Sequence, residues 1–115
     1  MTEHILDRPI WNSLTTAHAR FATGDGNARR FKKNISIFAG QKDESAESLD
    51  ALARLVPPDG NLFLIQVAPV VLPDGVRSAM SGEGCQMLLE TLNASKTKAH
   101  HIERLGAADA KEMYD

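Results

Sequence analysis

The chain has 115 residues, 43% of them hydrophobic and 24% charged, with a formal net charge of -2. That length allows one domain with a modest core and not two independent ones, and the ordinary composition excludes wholesale disorder. The slight acidity supplies no draw towards nucleic acid or an anionic membrane, and the lone Cys85 excludes an internal disulfide.

In chain order, MTEHILDRPIW lacks a basic segment followed by an apolar run, so no signal peptide is expected. Asp7 is placed to cap a first helix, with Pro9 in the first turn, where a missing N–H is tolerated. Ile10, Trp11, Leu14, Ala17, His18 and Phe21 recur at helical spacing and form one apolar stripe. Gly24 is the natural stop for that helix, and GDGN reads as a turn. Residues 29–33 suit a short strand with exposed charges, and Ile35, Ile37 and Phe38 make an apolar patch of open geometry. A second helix follows, capped by Asp43 or Ser45, with Glu44 and Glu47 at its positive end and Arg54 near its negative end. Leu49, Leu52, Ala53 and Val56 form its expected buried face, and Pro57-Pro58-Asp59-Gly60 stops it.

NLFLIQV is a short continuous apolar run between turn signals, which predicts a strand buried on both faces. APVVLPDGVRSAMSGEG is rich in proline and glycine and predicts an irregular loop, with an edge segment around Val70–Leu72. Residues 85–92, CQMLLETL, read as a strand, though a short helix would suit them equally. NASKTKAHH is a polar linker, and HIERLG alternates as a strand before a helix start. LFLI and VAPVVL fall far short of the roughly 20 apolar residues that a membrane helix needs. The fold class predicted is mixed α/β (α+β), a small sheet with two main helices. The composition and the lone cysteine predict a cytoplasmic protein with neither nucleic acid nor membrane as partner.

Each candidate for chemistry has a plainer reading. GDGN lacks the alternating oxygen ligands and later glutamate of a calcium loop, so it is taken as a turn. Arg29, Arg30, Lys32 and Lys33 around Phe31 could touch phosphates, but in an acidic chain a solvated strand face is the better account. His100-His101, even with Glu103 nearby, shows no metal-ligand spacing. His18 is expected as a hydrogen-bonded core or boundary residue, and Cys85 as a small buried hydrophobe. Ser81-Gly82-Glu83-Gly84 lacks the glycine before serine that a nucleophile elbow requires. No catalytic, cofactor-binding or metal-ligating residue is assigned.

Taken together, DRPIWNSLTTAHARFATGDGNARRF, ESAESLDALARLVPPDG, CQMLL and HIERLGAADAKEMYD resemble the N-terminal part of GNAT-superfamily acetyltransferases, in the group with a long N-terminal half. The resemblance spans nearly the whole chain and rests on patterning. It implies an N-terminal α/β domain over residues 1–93. Residues 94–115 would then be a linker and the opening strand and helix of an acetyl-CoA-binding domain, with Asp109 near the helix start. The full-length relative would transfer acetyl from acetyl-CoA to an amine, this half shaping the acceptor side. Gly24-x-Gly26 and Gly82-x-Gly84 lack the Arg/Gln of the family's pyrophosphate turn, having Phe21 and Ala79 three residues before them, so no cofactor site is carried over. The chain alone is expected to be inactive, completed by a missing catalytic domain or a second copy. The alternative is a stand-alone binding or dimerisation domain.

Overall fold

The computed structural model describes residues 3–93 and 102–114. They form a mixed α/β structure around one four-stranded sheet. The chain starts with a 3-10 turn, Ile5–Asp7, in which the Asp7 carboxylate turns back to accept the His4 N–H at 2.8 Å. Asp7 is therefore not the cap of the first helix. That helix, α1, covers only Pro9–Leu14; Arg8 precedes it without a side-chain cap. It ends well short of Gly24. The Thr15 and Thr16 hydroxyls donate back to the carbonyls of Trp11 and Asn12, a local bond that competes with helix propagation. Ala17 and His18 consequently lie exposed, and a second 3-10 turn, Ala19–Phe21, leads out.

β1 (Ala22–Gly24) and β2 (Ala28–Phe31) form a hairpin around the GDGN turn, with Ala22 opposite Phe31 and Gly24 opposite Arg29. Gly24 ends β1 and not α1. Its φ of +127° and the 2.4 Å that would separate an added Cβ from the Ala28 carbonyl oxygen leave no place for a side chain. The Ile35, Ile37 and Phe38 patch leads into β3 (Phe38–Gln41), antiparallel to β2. Ile35 and Ile37 remain exposed ahead of it.

α2 (Ala46–Leu55) forms where its caps predict. The Ser45 hydroxyl accepts the Ser48 N–H at 3.3 Å, and Asp43 accepts the Ser45 N–H at 3.0 Å. Its buried face is Ser48, Ala51 and Leu52, while Leu49, Ala53 and Val56 are half-buried. The helix is thus rotated from the expected stripe, because small residues let it sit close on Ala28 and Ala39. Leu55, Leu62 and Leu64 complete this core.

β4 is only Phe63–Leu64, parallel to β3 with Phe38 opposite Phe63 and Ala39 opposite Leu64. It is the last strand of the order β1-β2-β3-β4, and with Phe63 and Ile65 exposed it is not buried on both faces as the apolar run predicted. Leu62, Leu64 and Gln66 are half-buried, while Phe63, Ile65 and Val67 are exposed, the alternation of a one-sided strand. α2 covers the Ala39 side of the sheet. α1 covers the opposite side at Gly40, where an added Cβ would stand 2.6 Å from the Trp11 backbone nitrogen.

From Ala68 onward the chain is irregular, as the prolines and glycines of that loop require. The strand expected over Cys85–Leu92 does not form: these residues have no regular structure and are exposed, and among the described residues no strand lies beside them to pair with. No strand forms at residues 102–106 either. The helix expected after Gly106 does form, as a 3-10 turn, Ala107–Asp109, continuing into α3 (Ala110–Tyr114). Asp109 starts it by accepting the Gly106 N–H at 2.8 Å. The linker and His100-His101 lie outside the described residues.

The accessible surface of the chain is 9764 Å². A folded monomer of 12.5 kDa is expected to expose about 6,200 Å². The radius of gyration, 18.0 Å, likewise exceeds the roughly 13 Å of a compact domain of this length. Among the described residues, 68–93 and 102–114 are nearly all exposed.

Candidate functional site

Parallel strands joined through a helix bring their carboxyl ends to one edge, and in α/β folds that edge is where sites are built. Here β3 ends in Gln41 and the β4 stretch ends in Gln66. Between them Arg8, 8% exposed, enters from the N-terminal segment. Its Nη2 donates to Glu44 Oε2 at 2.6 Å, and its Nη1 reaches Gln66 Oε1 at 3.4 Å and the Gln41 carbonyl at 3.5 Å. Its Nε lies 3.3 Å from the exposed carboxylate of Glu3.

Gln66 organises the rest. Its Nε2 donates to Glu44 Oε1 at 3.1 Å and to the carbonyls of Ala68 and Pro69 at 3.0 and 3.2 Å. With three acceptors on that side, its Oε1 must face Arg8 and Gln41, and Gln41 Nε2 donates to it at 3.1 Å. This orientation leaves Gln41 Oε1 buried with no donor. An unmet buried acceptor costs about 1–3 kcal/mol, so the network holds some strain at its centre. The adjoining crevice, lined in part by Trp11, Gly40 and Ile65, has no room for a water molecule to relieve it.

The charges in this cluster are locked in their ionised forms. Burial alone would lower the Arg8 pKa, but the hydrogen bond to Glu44 and the charges of Glu44 and Glu3 outweigh it and raise it. The hydrogen bond from Arg8 pulls the Glu44 carboxyl down against the effect of burial, with the Arg8 charge and the Gln66 amide assisting. A carboxylate depressed in this way is a poor proton acceptor near neutrality. Asp43, next in the chain, is held down at about 2 by the Ser45 hydroxyl and N–H and by the Ser48 hydroxyl. The arrangement suits fixing segments in place, not moving protons.

A second concavity of about 400 Å³ opens at the other end of the parallel pair, lined by Arg30, Lys33, Ile37 and residues 57–61. Two cations, one carboxylate and a proline wall make it a shallow mixed groove. Arg30 is partly committed, donating its Nε–H to the Phe31 carbonyl at 3.0 Å.

The residues weighed from sequence are scattered. Asp25 uses its carboxylate on the N–H groups of Asn27 and Ala28, at 2.8 and 3.2 Å, which makes GDGN a turn. Those bonds also hold the Asp25 pKa down, with Arg54 adding. Arg29 and Arg30 are half-buried and not a fully solvated face. Arg29 reaches across to the Leu14 carbonyl at 3.1 Å, at the negative end of α1. Lys32 and Lys33 are exposed. His18 is no core residue: it is exposed, bonded through Nδ1 to the Ser13 hydroxyl and set against the rings of Phe21 and Phe31. Cys85 is not a buried hydrophobe but is exposed, because the strand meant to bury it is absent. Among the described residues no group of three or more His, Cys, Asp or Glu side chains could hold a metal ion, and no helix is long and apolar enough to cross a membrane.

Sequence reasoning missed Arg8, Gln41 and Gln66, and read Glu44 only as a helix-dipole residue. A signal existed. Both apolar stretches of the parallel pair, IFAGQ and NLFLIQ, end in glutamine, a polar terminus that a buried strand would otherwise avoid. Compared with family models, curated proteins and solved structures, the chain matches none.

Proposed function

We propose that this chain does no chemistry of its own and acts as an association domain, completed by another polypeptide. The observation that carries this reading is the display of large apolar side chains along its C-terminal half. Met80, Met87, Leu88, Leu89 and Leu92 are all exposed, as are Ile102, Leu105, Met113 and Tyr114. Residues 68–93 and 102–114 are nearly all exposed, which is the kind of surface that a partner would cover. The Arg8 cluster supports the same reading, since it joins the N-terminal segment, β3, the start of α2 and the end of β4 into one rigid frame.

A second reading keeps the GNAT resemblance. The partner is then an acetyl-CoA-binding domain joined through residues 102–114, and the complete enzyme acetylates an amine. The α3 helix directly after Leu105-Gly106 favours it.

Hydrogen exchange on a dilute, demonstrably monomeric sample tests the first reading. Residues 80–92 and 102–114 should exchange fast while β2 and β3 are protected. Equal protection of both regions would overturn it. Titration calorimetry with acetyl-CoA should give no stoichiometric heat for the isolated chain under either reading; micromolar binding would mean that the chain carries a cofactor site of its own.

A further inference from the structure

The groove at the amino ends of the parallel pair has two banks. On the first, Arg30 stands opposite Ala39 across β2 and β3, so its side chain shares the face that α2 covers. Lys33 follows in a turn that the Ile35 and Ser36 N–H groups close on the Lys32 carbonyl, at 2.8 and 3.4 Å. The second bank is the turn over residues 57–61. Its two proline rings fix the backbone, and the Gly60 N–H returns to the Pro57 carbonyl at 3.4 Å. An added Cβ on Gly60 would stand 2.9 Å from the Pro57 ring, so that turn is tightly closed. The Phe63 N–H, bonded to the Ile37 carbonyl at 3.0 Å, ties the banks together. Ile37 itself lines the groove and is 45% exposed.

The charges of this groove are uncommitted, unlike those of the Arg8 cluster. Arg30 gives its Nε–H to the Phe31 carbonyl at 3.0 Å, a bond that orients the guanidinium plane and leaves both Nη groups open. Among the described residues, neither these Nη groups, nor the Lys33 ammonium, nor the Asp59 carboxylate has a hydrogen-bond or ion-pair partner. Two cations facing one carboxylate leave the groove with an excess of one positive charge.

We propose that this groove binds a small carboxylate that carries an apolar body. A guanidinium fork matches a planar carboxylate through two parallel N–H···O bonds, and the Lys33 ammonium adds a second attraction. Ile37 and the rings of Pro57 and Pro58 cover the apolar part. One negative charge balances the groove, whereas a phosphate monoester, at about -1.5 to -2, overbalances it and is repelled by Asp59. The volume of about 400 Å³ is that of a small-ligand pocket, and its banks are set before any ligand arrives. The groove is shallow, so a ligand of about ten heavy atoms should bind with a Kd of about 1 mM. This site lies apart from the exposed C-terminal half and does not depend on the association reading.

The probe is phenylacetate, titrated into the full nitrogen-15-labelled chain and followed by amide shifts. Saturable shifts should be confined to residues 30–37 and 57–61. Phenylethanol, which lacks the carboxylate, and acetate, which lacks the ring, should each bind roughly tenfold more weakly. Arg30→Gln should weaken phenylacetate binding roughly tenfold and Lys33→Gln roughly threefold. Lys33 is exposed in a turn, so its variant reads the site even if Arg30→Gln disturbs β2. Lys32→Gln, exposed beside the groove but not lining it, should leave the Kd unchanged. Asp59→Asn should tighten binding roughly twofold by removing a like charge. Shifts that do not saturate by about 10 mM, ten times the expected Kd, overturn the proposal. So does phenylethanol binding as tightly as phenylacetate, or an equal response to Lys32→Gln and Lys33→Gln, which would mean a diffuse attraction to any surface cation. Phenyl phosphate binding more tightly than phenylacetate would overturn the carboxylate as the ligand class.

Discussion

Replacing Arg8 with alanine tests the frame at its centre. The change removes a 2.6 Å charge-assisted bond to Glu44 and two weaker bonds to Gln66 and the Gln41 carbonyl. Truncating one partner of a buried ion pair costs about 3–5 kcal/mol when the other charge is left dry. Here the Glu44 side chain is 30% exposed, so water can take up part of its charge, and Gln66 Oε1 keeps its bond from Gln41. The expected loss for Arg8→Ala is therefore lower, about 2–3 kcal/mol. Glu44→Gln keeps the shape and the accepting oxygen but removes the charge, and should cost about 1–2 kcal/mol. The double variant should lose less than the sum, with a coupling of about 1 kcal/mol or more for residues in one network. Urea unfolding followed by the single tryptophan, Trp11, which lines the adjoining crevice, measures all four species. A loss below about 0.5 kcal/mol for Arg8→Ala, the range of surface substitutions, would refute the frame. Strict additivity would mean that the two charges do not act on each other.

Leu52→Ala should cost about 2–5 kcal/mol in the same assay, because Leu52 is the largest side chain of the buried core it shares with Ala28, Ala39 and Ala51. Gly40→Ala should cost about 1–3 kcal/mol, since the new methyl group meets the backbone of α1 and not a movable side chain. Acid should destabilise the fold through depressed carboxyls. Asp43 has a folded pKa of about 2 against an ordinary 3.8, so its stabilisation is complete above about pH 4 and is lost as the pH falls towards 2. Circular dichroism of urea unfolding between pH 2 and 6 should show that slope, shallower in Asp43→Asn; an unchanged slope would remove Asp43 from the account.

Elements set by neighbouring residues were legible in the sequence. The caps of α2, its stop at Pro57–Gly60, the GDGN turn and the helix start after Gly106 all rest on bonds spanning a few residues, so composition and spacing suffice for them. Elements that depend on distant partners were not. The apolar stripe through Phe21 promised a longer first helix, yet two threonine hydroxyls end it at Leu14 and the stripe's remainder serves the hairpin instead. NLFLIQV has the composition of a central strand, but whether a strand is central depends on what lies on its far side, and among the described residues no strand does. CQMLLETL has strand character without a strand beside it, and strand pairing is a property of two segments and not of one. The Arg8 cluster joins residues up to 58 positions apart, so its glutamines stand out as polar termini of apolar runs, but their shared partner shows only once the parallel pair sets them side by side. The sequence by itself determined the local turns, caps and helix starts. Only tertiary structure decided which apolar face is covered and which stays open, because burial depends on contacts made across the fold.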